Sequence, residues 1–149
     1  MKKQNTKYLM LTALGLIAFH FLIVVLHSIA HEILAVKASA AQLAFIFPVI
    51  IAAPVAAGFL LLKFEKAGAW MVTVSLSGSF LFGLYYHFIA HTIDHVGHVT
   101  NLQPAFWSGM FIATAYLLAF SEILGALAGV LILIKQSQFS KDYAARTSF

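Results

Sequence analysis

The chain of 149 residues contains no cysteine. Disulfides, thiolate metal sites and thiol nucleophiles are therefore excluded. Charge is scarce as well. Asp, Glu, Lys and Arg make up 9% of the residues, against about 25% in soluble domains. Hydrophobic residues reach 62%, where soluble domains hold about 45–50%. A soluble globule of this size cannot hide so much apolar surface. A soluble enzyme, a disordered tail and a nucleic-acid reader are all excluded, and lipid is the solvent for most of the chain. The net charge of +4 is no nucleic-acid footprint, because the basic residues flank apolar runs. Acid is the scarcest class: 5 Asp plus Glu stand against 7 His. Histidine outnumbers acid in a very apolar protein.

Four apolar stretches are long enough to cross a bilayer, which takes about 20 residues. They run from about Tyr8 to Ala30, Ala40 to Leu62, Ala67 to Ala90 and Pro104 to Ile134. All four are expected to be α-helices, because lipid offers the backbone no partner and no barrel-like alternation is present. The expected architecture is an all-α, four-helix integral membrane bundle, with residues 1–149 as a single transmembrane domain.

Basic residues set the expected orientation. Lys2, Lys3, Lys7, Lys63, Lys66, Lys135, Lys141 and Arg146 fall on one side, and only Lys37 on the other. The positive-inside rule puts both termini and the middle loop in the cytoplasm of a multi-pass cell-membrane protein. The first span has a basic start, and Ala38-Ser39-Ala40 resembles a cleavage site. Its apolar core is longer than a signal peptide's and carries His20 and His27, so an uncleaved helix is expected.

Small residues supply packing faces. Gly125 and Gly129 form a GxxxG pattern, and Ser75, Ser79 and Gly83 line one face of the third span. Such faces let helices approach closely in lipid. They also fit a homo-oligomer or a larger membrane complex. Pro48 and Pro54 are expected to bend the second span, and Gly58 near its inner end to help packing.

The histidines fall on two stripes. His20, His27 and His31 share one face of the first span, with Glu32 beside them. Steps of four, four and three put His87, His91, His95 and His98 on one face of the third, with Asp94 adjacent. With a rise of 1.5 Å per residue, His27 lies roughly 28 Å up its helix and His87 roughly 30 Å up its own. His27 is thus level with His87, and His31 with His91. His20 and Glu122 both lie roughly 18 Å up, near mid-membrane. An acid at that depth needs a partner or a cavity. A His20–Glu122 pair is expected, with Ser121 or Thr114 nearby and with a proton path towards the outer site as one role.

Three chemistries fit the stripes. The first is a transition-metal site at the outer face, built from His27, His31, His87, His91 and His95, then Asp94, with Glu32 and His98 peripheral. Imidazoles one turn apart chelate from one helix, and the N/O set suits Zn, Cu or Fe. Few Met and no Cys argue against a soft Cu(I) relay. Redox chemistry or metal handling would follow. The second is a b-type haem between His27 and His87, or His31 and His91, in an electron-transfer subunit; a magnesium tetrapyrrole is a variant. The third is a non-catalytic subunit with a pH-responsive histidine band.

The HxxxH spacing is similar to the histidine boxes of membrane di-iron desaturases and hydroxylases. The chain departs from them in lacking an HxxHH box and in placing the cluster outward. Residues 87–98 resemble, in residue types alone, the copper-binding membrane subunit of particulate methane and ammonia monooxygenases. Neither likeness assigns a family.

Overall fold

The computed structural model describes the backbone of residues 2–147 and the side chains of residues 6–138 and 140. The side chains of Lys2, Lys3, Lys141 and Arg146 lie outside the described residues. Within them the protein is all-helical. Helix α1 is Lys2–Ile33, α2 is Ala40–Lys63 and α3 is Glu65–Ile89. A single turn, α4, spans Val96–Val99, and α5 spans Ala105–Thr147. Among these, α1, α2, α3 and α5 are long and apolar enough to cross a membrane. The expected spans fall inside them, except for Ala90 and Pro104, each one residue outside.

The exposure pattern is that of a protein solvated by lipid. Large apolar side chains face outward, with Phe59 71% and Val74 64% exposed. Polar ones are interior, with His20 1% and Glu122 3% exposed. Lipid tolerates exposed apolar groups and penalises polar ones, so polar side chains gather between helices.

Helix α5 is the axis of the bundle. Both α1 and α3 pack along it, and α2 packs along α3. Small residues make the close crossings. A Cβ on Gly129 would run into Thr73 and the Ala69 carbonyl of α3, and one on Gly125 would meet the Leu76 side chain. Gly68 sits against the Leu61 backbone, which lets α3 turn back tightly along α2 after Phe64. Ala13, Ile17, Leu61, Val72, Leu76 and Ile132 form the buried core toward the end that carries the termini.

Two segments depart from α-helix. Ile46–Ala52 in α2 and Leu84–Ile89 at the end of α3 are π-helical. The first contains Pro48 and ends just before Pro54, so the proline effect expected in α2 takes the form of wide turns. Pro48 and Pro54 each remove an N–H donor from this stretch. His20 of α1 adds a donor from outside: its Nε2 lies 3.1 Å from the Ile50 carbonyl oxygen. One bond thus ties α1 to α2 and satisfies a carbonyl that lipid could not.

The third span corrects one expectation. The stripe from His87 to His98 requires continuous helix, but α3 ends at Ile89. The Ala90 N–H bonds back to the Tyr85 carbonyl at 2.7 Å. An irregular segment then leads to α4, and the chain turns before α5. His91, His95 and His98 therefore leave the helical face that carries His87.

Candidate metal centre

The site lies at the end of the bundle that carries the loops at 34–39 and 90–104. His27 comes from the interior of α1, His31 from its last turn, and His87 from the π-helical end of α3. π turns are rare and recur at functional sites. One ring nitrogen from each of the three lies within 4.8 Å of the others. Ring centroids are 4.8 Å apart for His27–His31, 4.9 Å for His27–His87 and 6.2 Å for His31–His87. Phe111 of α5 underlies all three, at 4.5, 4.8 and 5.5 Å. It fixes the floor of the cluster and excludes water from that side.

The hydrogen bonds decide which nitrogens are free. His31 Nδ1 donates to the Val36 carbonyl at 2.7 Å. That carbonyl is delivered by the turn that ends α1. Ala35 there has a φ of 54°, and the Val36 N–H bonds to the His31 carbonyl at 3.0 Å. This is a Schellman-type end, usually built on glycine. His87 Nδ1 donates to the Asp94 carbonyl at 3.1 Å, again an oxygen returned by the loop after its own helix. His27 Nδ1 lies 2.8 Å from Thr114 Oγ1. The Thr114 hydroxyl proton goes to the Met110 carbonyl at 2.7 Å, with Phe111 O also near. Thr114 Oγ1 therefore accepts from His27.

With Nδ1 donating to an oxygen in all three, Nε2 is the nitrogen left as a lone pair on each imidazole. His31 Nε2 and His27 Nε2 are 3.2 Å apart. Two lone pairs at that distance repel unless a cation or a proton lies between them. Oxygen acceptors behind each ring are the arrangement that orients metal-bound imidazoles and raises their basicity.

The other expected ligands stand apart. Asp94 is buried, but its Oδ2 accepts from Gln42 Nε2 at 2.8 Å, and it is outside the three-nitrogen group. Its contribution to the histidines is its backbone carbonyl. Glu32 is exposed and lines the cleft described below. His91 and His98 are exposed and His95 is half-buried. His91 and His95 pack ring to ring at 5.2 Å, and His95 Nδ1 accepts the Gly97 N–H at 3.1 Å as the cap of α4. The expected level match of His27 with His87 is present. His31 joins that same pair; His91 instead packs with His95 in the loop.

A cleft of about 580 Å³ leads from His27, His31 and Asp94 down to Ser79 and Glu122. At its lower end His20 Nδ1 and Glu122 Oε1 lie 3.7 Å apart, neighbours but beyond hydrogen-bond distance, and His20 Nδ1 has no hydrogen-bond partner. The hydroxyl beside it is a correction. Ser79 of α3 donates to Glu122, whereas Ser121 bonds the Leu118 carbonyl at 3.0 Å and Thr114 serves His27. Ser121 is one residue from Glu122, so its side chain leaves α5 about 100° round the axis.

Gln42, Phe111 and Thr114 as parts of the histidine cluster were missed from the sequence. Phe111 and Thr114 share a face of α5 with Glu122, at steps of three and eight, and that face was the available signal. No protein-family model, curated protein or solved structure matches the chain.

Proposed function

We propose that this chain is a multi-pass membrane protein that binds a transition-metal ion through Nε2 of His27, His31 and His87. The observation that carries the reading is the set of three imidazoles whose Nδ1 protons are each held by an oxygen, leaving three lone pairs convergent. Three imidazoles suit Zn, Cu or Fe, and the lack of sulfur disfavours Cu(I). Three protein ligands with a further position open are characteristic of exchangeable or catalytic centres; closed structural sites use four. Here the open side faces the cleft. Metal handling or metal-centred redox chemistry follows from that geometry.

The ring contacts favour an ion over a haem. An axial pair would need the porphyrin between the rings, but His27 and His87 meet edge to face at 4.9 Å. The test is elemental analysis and a visible spectrum of protein purified in detergent. About one Zn, Cu or Fe per chain without a Soret band is expected. A Soret band would replace the reading by haem. No metal after loading would leave a proton between His27 and His31, and the metal reading would fall.

The distribution of basic residues supports an outer-side location for the centre. A reporter fused after Phe149 is then active in the cytoplasm. Activity only on the outer side would invert the orientation.

A further inference from the structure

Three neutral imidazoles bring no negative charge to a divalent ion. The counter-charge has to come from elsewhere in the cleft, because an unbalanced charge between membrane-spanning helices is costly. Three acids line the cleft: Glu32, Asp94 and Glu122. Glu32 is exposed, as is Lys37, a lining residue of opposite sign. Asp94 stands near the histidines and accepts from Gln42. Glu122 is at the far end and is 3% exposed.

The hydrogen bonds at that far end are one proton short. His20 Nε2 donates to the Ile50 carbonyl, which leaves Nδ1 as a lone pair. That nitrogen is buried and has no partner. It faces Glu122 Oε1 at 3.7 Å, an oxygen that accepts from Ser79. Two acceptors thus stand opposite each other in a buried place, where an unmet polar atom is expensive. A proton on Glu122 makes its carboxyl a donor, and a shift of about 1 Å then brings it within hydrogen-bond distance of Nδ1. A proton on Nδ1 does the same with the roles exchanged.

Among the described residues, the elements around this pair present no other titratable group to it. Helix α3 contributes Ser79, and α2 contributes Ile50 and Ile51. The other ionisable side chains of the cleft are Glu32 and Lys37 and, at its upper end, His27, His31, His87 and Asp94. His20 lies seven residues below His27, so about 10 Å separate the two ends along the bundle. Glu122 lines the cleft and His20 does not. Glu122 is therefore the member that passes a proton out.

We infer that Glu122 and His20 together hold one exchangeable proton, and that a divalent metal ion binding at the three histidines expels it. The ion gains three nitrogen ligands, the pair loses one proton to solvent through the cleft, and no electron changes hands. The Glu122 carboxylate left behind and that of Asp94 then set two negative charges against the two positive charges of the ion. The exchange rests on the metal reading for its ion. The proton site stands on its own hydrogen bonds.

The test titrates Zn²⁺ into the full chain in detergent, in buffers of different ionisation enthalpy, so that calorimetry counts the protons released per ion. At neutral pH the wild type is expected to release more than Glu122→Gln, with the difference approaching one proton. Glutamine copies the shape of the protonated acid, donating to His20 and accepting from Ser79, but has no proton to give up. Protons lost by the histidines of the centre are common to both proteins and cancel. Wild-type affinity is expected to rise with pH more steeply than that of the variant. At alkaline pH the variant binds Zn²⁺ at least about tenfold more weakly, since a unit charge about 10 Å from a divalent ion is worth that much even at an effective dielectric constant near 20. Infrared difference spectra give the second readout. Zn²⁺ is expected to erase the carbonyl stretch of a protonated carboxyl, which is absent in Glu122→Gln. Ser79→Ala removes the hydroxyl on Glu122 and shifts that band, which assigns it if Glu122→Gln does not fold. Equal proton release by wild type and Glu122→Gln, or no carboxyl band in the metal-free protein, would overturn the proposal. Zn²⁺ bound with the band unchanged removes the exchange and keeps the centre. The band without Zn²⁺ binding removes the centre, and the exchange with it, and keeps the proton site.

Discussion

Replacing His27 by alanine is expected to lower metal affinity by more than about 100-fold, because loss of a mere supporting partner already costs 10–100-fold. His27 is the middle ring of the three, in contact with both of the others. Its loss leaves two imidazoles whose centroids are 6.2 Å apart, a two-ligand site that a chelator strips easily. Thr114→Val is the graded companion. It keeps the shape beside the ring but removes the oxygen that accepts from His27 Nδ1, so the ring can rotate or change tautomer. A drop of about 10–100-fold is expected there. Chelator competition on the purified variants measures both, with an unchanged elution volume as the sign of intact fold. Wild-type affinity in His27→Ala would remove His27 from the centre. A larger loss in Thr114→Val than in His27→Ala would mean that Thr114 acts through the fold.

The second large effect concerns the crossing of α3 and α5. Gly129→Ala is expected to destabilise the bundle by about 1–3 kcal/mol, the usual cost of overpacking. The added carbon would meet the Ala69 carbonyl and the Thr73 N–H, which are backbone and cannot rotate away. The Thr73 hydroxyl, also in the way, is held by the Ala69 carbonyl at 2.8 Å. Gly125→Ala is expected to cost less, since there the obstacle is the tip of Leu76. Gly109→Ala meets nothing within 4 Å and gains helix propensity, up to about 1 kcal/mol. Thermal unfolding in one detergent ranks the three. Equal midpoints for the Gly125 and Gly129 variants would show that the helices separate freely at this crossing.

Hydropathy located the spans because twenty apolar residues in lipid have few other solutions. The level match of His27 with His87 was legible for a similar reason, since the helical rise is constant. The path beyond Ile89 was not. His91, His95 and His98 keep helical spacing, and nothing between them forbids helix outright. The end of α3 is set by the bond from Ala90 back to Tyr85 and by the Asp94 carbonyl returning to His87. Those are tertiary choices. Asp94 was recognised for its carboxylate, yet it supports the histidines through its main chain, which no residue type announces. Thr114 and Gln42 were obscure because they come from helices without histidines. Ser79 was read as a small packing residue, and it is also the hydroxyl on Glu122.

The bond between His20 and the Ile50 carbonyl bears on how the protein is made. A span normally enters the bilayer with its backbone already satisfied. Because of Pro48 and Pro54, α2 enters with two backbone N–H donors missing from its middle. Insertion and association are therefore linked for this segment: α1, with His20 at the depth of Ile50, supplies a bond that α2 cannot make alone. Since α1 precedes α2 in the chain, synthesis delivers the donor first. The same contact closes the lower reach of the cleft between those helices, so the step that completes α2 also gives the cavity its floor.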